Sequence, residues 1–288
     1  MRLVEYWITR LLLAVFAWYP KGQANGRIWF CSHLLDLAIP RLRRIALRNL
    51  DLAGLPNREE IADGVFRSIA RLVIHFARLP KMNAKNIHHW IRYEGLDNLT
   101  TALAKGRGVL VATAHLGNWE LSAFAHAWMT VPMHIVVRPL DNARVDELVE
   151  HARALSGNHI IRKKEAAREI LRALGAGDAV GILMDQNVGL TEGVFVDFFG
   201  VKACAGTAFV KFAHHSGAAV VPGFALWSNE EKRYILRFYP ELPMNENVQE
   251  DTQRIHTMLE GVIREYPDQW LWIHRRWKTR PPGESPLY

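Results

Sequence analysis

The chain has 288 residues, 49% of them hydrophobic, and its 36 Lys and Arg against 29 Asp and Glu leave a formal net charge of +7. Length and apolar content give one large globular domain, or at most two smaller ones, and exclude disordered, collagen-like and coiled-coil classes. The basic surplus favours anionic partners such as nucleic acid, acidic lipid headgroups, phosphorylated substrates or an acidic carrier protein.

At the N-terminus, Leu11 to Tyr19 is an unbroken apolar and aromatic run ended by Pro20 and Lys21, while Glu5, Thr9 and Arg10 interrupt the residues before it. No small-residue cleavage site follows, which argues against a removed signal peptide. The stretch from Leu3 to Tyr19 lies at the short edge of the roughly 17–25 residues that cross a bilayer. Trp7, Trp18 and Tyr19 suit an interfacial belt, and Arg2 and Arg10 can reach toward headgroups. The expectation is a membrane-associated helix, either a tilted span or one lying in the interface. Residues 26–49 then mix Arg27, Arg41, Arg43, Arg44 and Arg48 with Trp29, Phe30, Leu34, Leu35 and Leu37, which suits a helix at an anionic surface.

Arg58 to Leu79 keeps a 3.6-residue apolar rhythm through Ile61, Val65, Ile69, Leu72, Val73 and Phe76, a core helix. Gly108 to Ala114 (GVLVATA) is a short β-branched apolar run, as expected of a strand buried on both faces. His134 to Arg138, Ala179 to Asp185 and Ala218 to Leu226 have the same character. Helices are expected between and after them at Asn118–Met129, Ala143–Leu155, Lys164–Leu174 and Ala205–His214. This alternation predicts an α/β fold, a mixed, mostly parallel central sheet flanked by helices, with ligands beyond the carboxyl ends of the strands.

GVLVATA runs straight into His115-Leu116-Gly117-Asn118-Trp119-Glu120. His115 leaves the strand, Gly117 permits a tight turn, Asn118 can cap the next helix and Glu120 falls in its first turn. Within one helix this separation would place the two side chains about 140° apart, so they meet only because His115 precedes the helix. A carboxylate on one imidazole nitrogen would fix the tautomer and leave the other nitrogen as a general base toward a hydroxyl. Spacing alone has no weight, since His89 and Glu94 share it; the strand–glycine–helix context carries the reading. Cys31 and Cys204 have no CxxC spacing, no GxSxG is present, and neither phosphate-loop nor HExxH signatures occur. No metal and no nucleotide cofactor is expected, and direct transfer without an acyl-enzyme is the simpler scheme.

HLGNWE, RPLDN (138–142), LMDQN (183–187), GVFVDFFG (193–200) and DQWLWIHRRWKTRP (268–281) occur in an order that resembles the bacterial lipid A biosynthesis acyltransferases, the lauroyl/myristoyl transferase family of HX4(D/E) acyltransferases. The resemblance covers nearly the whole chain. It implies a glycerolipid-acyltransferase-like fold with residues 1–22 as a membrane-anchoring helix and residues 23–288 as the acyltransferase domain. It implies transfer of a fatty acyl group, usually from acyl carrier protein, to a lipid A precursor at the cytoplasmic face of the cell inner membrane, in lipopolysaccharide biosynthesis. His115 and Glu120 match the family's catalytic pair, and Asp185 and Arg153 match an important Asp and Arg. Arg138, at a strand end, is a candidate for the tetrahedral oxyanion, Asp185 for orienting an arginine or a sugar hydroxyl. Asn118 and Arg275 are added as substrate-binding candidates. The C-terminal Trp270, Trp272 and Trp277, with His274, Arg275, Arg276, Lys278 and Arg280, would hold an anionic, phosphorylated glycolipid or brace the fold around the site; no nucleic acid is expected. Acylation of another phospholipid or glycolipid, or a non-catalytic basic membrane-binding role, stays open at this point.

Overall fold

The computed structural model describes residues 2–18, 24–162 and 166–288. The chain begins with four helices, α1 (Arg2–Trp18), α2 (Ala24–Ala38), α3 (Pro40–Leu52) and α4 (Arg58–Phe76). It then alternates as β1 (Ile91–Glu94), α5 (Leu96–Leu103), β2 (Val109–Thr113), α6 (Trp119–Met129), β3 (His134–Val137), α7 (Ala143–Ala154), β4 (His159–Arg162), α8 (Ala166–Gly175) and β5 (Ala179–Leu183). A hairpin of β6 (Gly193–Phe198) and β7 (Val201–Gly206) leads into α9 (Ala208–Ser216), β8 (Ala219–Ser228), β9 (Arg233–Phe238) and α10 (Val248–Glu265).

The large sheet has the order β1-β9-β8-β2-β5-β3-β4, and every neighbouring pair in it is parallel except β8 with β9. This is the mixed, mostly parallel sheet expected from the β-branched runs. Along β2 the side chains obey the two-residue period of a strand: Leu110 and Ala112 enter one apolar core, Val109 and Val111 the other. Both faces are therefore covered, which is why β2 reads as a continuous apolar run rather than an alternating one.

Element ends move by a few residues from the expected ones, and one helix moves for a clear reason. Ala205 and Gly206 pair with Val194 and Gly193 across the hairpin, so α9 starts at Ala208 rather than Ala205. The hairpin turns at Phe199 and Gly200, both with positive φ (56° and 75°), as a two-residue hairpin loop requires. Burial of the Phe199 ring against Trp272 holds a bulky residue in that conformation. The expected start of α8 at Lys164 lies outside the described residues, as does the boundary at residues 22 and 23.

The N-terminal segment differs from the expectation in two respects. Residues 26–49 form two helices, α2 and α3, separated at Ile39–Pro40, because proline has no N–H to continue the first. Arg43 does not present to a surface anion: it forms ion pairs of 2.8 Å with Asp36, Glu59 and Asp63. Helix α1 rests on the body of the protein, where Asn142 Nδ2 donates to Arg2 O (2.8 Å) and Glu5 Oε2 (2.9 Å) and Lys81 Nζ donates to Ala17 O (2.5 Å). Among the described residues no helix is long and apolar enough to cross a membrane. Leu3, Val4, Trp7, Ile8, Leu11, Leu12 and Val15 nevertheless form an exposed stripe at helical spacing.

Between β2 and α6 the chain threads a narrow gap. Gly117 has φ +66°, and a Cβ there would lie 1.9 Å from the carbonyl oxygen of Ala225 in β8. Gly106 has a nearly identical φ (+67°) with open space around it. In chemical denaturation Gly106→Ala should lose about 1–2 kcal/mol, the left-handed backbone cost alone, whereas Gly117→Ala should lose more because the strand must also move. Equal losses would show that the close approach is not limiting.

Candidate active site

Strands β2 and β5 are adjacent and in register, with Thr113 opposite Leu183. Two residues past each of these paired ends stand His115 and Asp185, so the sheet itself sets the two side chains next to each other. His115 Nδ1 lies 2.8 Å from Asp185 Oδ1. The second carboxylate oxygen, Oδ2, accepts from the His115 backbone N–H (3.1 Å) and from Trp270 Nε1 (2.8 Å). Asp185 is 2% exposed, yet these N–H donors and the His115 charge outweigh the burial that would raise its pKa, and hold it well below the usual carboxylate range.

Because an ionised carboxylate only accepts, the proton sits on His115 Nδ1 and Nε2 carries the free lone pair. Burial pulls the His115 pKa down, but the Asp185 charge and hydrogen bond, with a contribution from the Glu120 charge, raise it overall above the ordinary histidine value. Gln186 Nε2 is 3.5 Å from His115 Nε2, and the Trp119 ring meets the imidazole edge-on at 5.0 Å. The main chain is fixed as well: His115 O accepts from Leu271 N (2.9 Å), and Gly117 N donates to Gln269 O (2.9 Å).

The expected hydrogen bond between His115 and Glu120 is replaced by another pairing. Both Glu120 oxygens are taken by Arg153, whose Nε and Nη2 donate at 2.9 and 2.6 Å, a bidentate pair with both side chains largely buried. Geometry explains the exchange, since Asp185 enters from the neighbouring strand in register with His115, while Glu120 points from the first turn of α6 toward α7. Glu120 thus acts on His115 through its charge alone, and Asp185 through both its charge and the bond.

The remaining predicted residues separate by exposure. Asn118 is fully buried, and its Oδ1 accepts from Leu121 N (2.9 Å) as the cap of α6, so it presents no group to a substrate. Arg138 is exposed at the end of β3 and, among the described residues, has no hydrogen-bond or ion-pair partner. Arg275 is half-buried, its guanidinium 5.7 Å from the Tyr288 ring.

Most of the C-terminal motif is core rather than binding surface. Trp270, Trp272, Trp277 and Arg276 are all buried, and Arg276 Nη1 donates to Cys204 O (2.7 Å). The segment clamps the loop that carries Asp185: His274 Nε2 accepts from Asn187 N (3.0 Å), Asn187 Nδ2 donates to Thr279 Oγ1 (2.9 Å), and Thr279 N donates to Asn187 Oδ1 (3.0 Å). Trp270 and His274 were expected to hold a glycolipid or brace the fold with the rest of the C-terminal run; that they contact Asp185 and the backbone of Asn187 was not anticipated. Their only signal was membership of an aromatic and basic run, which does not say which ring faces the carboxylate.

Past Trp119, whose ring meets His115, an apolar cleft enters the protein between α6 and the sheet, about 780 Å³ with the open solvent at its mouth included. Trp119, Glu120, Arg153, Thr113, Val137 and Leu183 stand at the mouth, where the strands end. Val111, Ile135, Met133, Gly181 and Ala179 line it toward the other end of the sheet.

A histidine with one nitrogen held by a buried carboxylate and the other facing outward is an arrangement that can take a proton from a hydroxyl. Comparison with known sequences gives the particular family. Residues 1–279 match the profile of the bacterial lipid A biosynthesis acyltransferases, and the chain belongs to that family. It is 30% identical over 295 residues to the lipid A biosynthesis palmitoleoyltransferase of Escherichia coli K12, covering 99% of this chain and 95% of that protein. It is also 30% identical over 300 residues to the lauroyltransferase of the same organism, covering 99% and 95%. A lipid A biosynthesis acyltransferase of Haemophilus influenzae is 24% identical over 230 residues, covering 79% and 72%.

The electrostatics make a direct prediction. In Asp185→Asn the charge that raises the His115 pKa is gone while burial remains, so the imidazole should titrate at a lower pH than in the wild type. Nitrogen NMR of the ring checks this; an unchanged midpoint would mean that Asp185 is not the dominant partner.

Proposed function

We propose that this enzyme transfers a fatty acyl group from a thioester to a hydroxyl of a lipid A precursor, with His115 as general base and no acyl-enzyme. The observation that carries the reading is His115 itself: Nδ1 is committed to Asp185 at 2.8 Å, and Nε2 is left as the basic nitrogen beside an apolar cleft. Nε2 takes the proton of the acceptor hydroxyl, whose oxygen attacks the thioester carbonyl. Asp185 stabilises the imidazolium that forms. As the tetrahedral intermediate collapses, the carbon–sulfur bond breaks, and the departing thiolate recovers the proton from His115. The cleft takes the alkyl chain, and the Glu120–Arg153 pair at its mouth holds the entry in shape. Arg138, exposed and unpaired among the described residues at a strand end, is available to the oxyanion or to an anionic group of either substrate.

The formal charge of +7 suits an acyl carrier protein as donor and an anionic glycolipid as acceptor. In this reading the enzyme works at the cytoplasmic face of the inner membrane. The exposed stripe of α1, together with the exposed Trp29, Phe30, Leu34 and Leu37 of α2, supports contact with the interface.

Acyl transfer from acyl carrier protein thioesters to a lipid A precursor tests the chemistry. His115→Ala should lower the rate by about 10²-fold to 10⁴-fold or more; a mutant as active as the wild type ends the general-base scheme. The acid limb of the wild-type rate profile should lie above the ordinary histidine pKa, because the neutral base is the active form and its pKa is raised. For the membrane, Trp7→Glu with Leu11→Glu should weaken sedimentation with anionic vesicles several-fold while leaving the far-ultraviolet circular dichroism unchanged. Equal sedimentation would remove the stripe from the reading.

A further inference from the structure

The loop that follows β5 is held on both sides of Gln186. Met184 N donates to Thr113 O (3.1 Å), and the Asp185 carboxylate is fixed by its N–H donors from His115 and Trp270. On the other side Asn187 N donates to His274 Nε2 (3.0 Å), and the Asn187 side chain is tied to Thr279 (2.9 Å). Between these anchors the Gln186 side chain is exposed, with its Nε2 at 3.5 Å from His115 Nε2. A movable amide on a fixed backbone is thus set against the one imidazole nitrogen that the buried carboxylate leaves free.

The contact determines which way the amide faces. His115 Nδ1 carries the proton, so Nε2 is an acceptor, and the Gln186 NH2 group rather than its carbonyl oxygen must meet it. At 3.5 Å this bond is stretched well past the length of about 2.9–3.0 Å at which such bonds are strong, and a substrate displaces it at little cost. Two atoms 3.5 Å apart share a ring of positions about 2.9 Å from each, so an oxygen can reach both nitrogens at once. An acceptor hydroxyl that approaches Nε2 enters beside the amide.

Proton transfer then changes what the amide can bond. As Nε2 takes the hydroxyl proton it loses its lone pair, and two N–H groups facing each other repel unless an acceptor stands between them. At that moment the attacking oxygen bonds to the thioester carbon, and the carbonyl π pair moves onto the former carbonyl oxygen, which shares that carbon and lies next to it. The released amide N–H finds there an acceptor that is gaining charge. A donor whose bond is weak in the ground state and strong in the transition state raises kcat. Arg138 belongs to β3, which lies two strands from β2 and about 10 Å across the sheet. That position suits a charged group of a substrate better than the reacting carbon.

We propose that Gln186 is a catalytic residue of the transfer, its side-chain N–H donating to the oxyanion of the tetrahedral intermediate. The inference rests on the reading of His115 as the general base of acyl transfer. The hydroxyl proton goes to Nε2, the carbon–oxygen bond forms, and Gln186 holds the oxygen that receives the π pair. On collapse that pair re-forms the carbonyl, the carbon–sulfur bond breaks, and the thiolate takes the proton back from Nε2.

The test is single-turnover transfer from an acyl carrier protein thioester to a lipid A precursor, followed across pH at saturating substrate. Wild type, His115→Ala, Gln186→Ala and Gln186→Glu are compared. Gln186→Ala deletes the donor, and its plateau rate should fall about 10²-fold to 10³-fold while the half-saturating concentrations of both substrates stay close to the wild type. In Gln186→Glu a carboxylate of the same size replaces the donor. Its plateau should fall at least as far, and the acid limb should move to higher pH, because a negative charge beside Nε2 favours the imidazolium. Both variants should unfold at the wild-type temperature, since the side chain is exposed; a structural role would lower that temperature and leave the limb in place. A Gln186→Ala plateau less than about tenfold below the wild type, with His115→Ala inactive, would overturn the oxyanion assignment and leave the general base standing. His115→Ala as active as the wild type, or no transfer to the lipid A precursor by the wild type, would overturn the underlying reading and the assignment with it.

Discussion

A single buried carboxylate organises the centre of this protein. Asp185 is almost without solvent, and a lone charge in that position would be prohibitive. It persists because its two oxygens receive the His115 imidazole N–H, the His115 backbone N–H and the Trp270 indole N–H. Each donor needs its own support. The strand pairing brings the histidine, the glycine at 117 lets the chain turn away beneath β8, and the C-terminal segment delivers the indole. Removing one partner of such an arrangement leaves a charge uncompensated, which typically costs about 3–5 kcal/mol. The tryptophan-rich tail is therefore as much a part of this buried arrangement as the histidine.

Helix α6 frames this site: it starts at the Asn118 cap beside His115, offers Trp119 and Glu120 to the cleft, and carries His126 in the cleft wall. The Glu120–Arg153 pair extends that frame to α7. A bidentate pair with both partners largely buried holds the two helices together at the cleft mouth.

Much of this was legible in the sequence. The β-branched runs gave four of the sheet's strands, and GVLVATAHLGNWE gave the strand, the turn, the histidine and the cap. The carboxylate partner was misread for a physical reason. Local spacing could bring Glu120 near His115, but the preference for Asp185 arises from the register of two strands 70 residues apart in the chain. Trp270 was hidden for a similar reason, since an indole in an aromatic run shows no direction until the tail is packed. The edge strands β1 and β4 are short, and β9, next to β1, carries Arg233 and Arg237 at half-buried positions, which weakens the apolar pattern on which strand reading depends. The lining of the cleft could not be read at all, because Leu99, His126 and Phe238 are far apart in sequence and meet only across the folded sheet.

The bonds from Asn142 to α1 carry a mechanical consequence. Asn142 is the N-cap of α7, the helix whose last turn holds Arg153 over the mouth of the cleft. Over its twelve residues α7 is about 18 Å long and behaves as a strut. With α1 seated in a lipid interface, that strut would fix the height of the reaction centre above the headgroups. The acceptor would then be selected by how far its hydroxyl stands out of the membrane as well as by its chemistry, and shortening or lengthening the strut would retune that selection without touching a reacting atom.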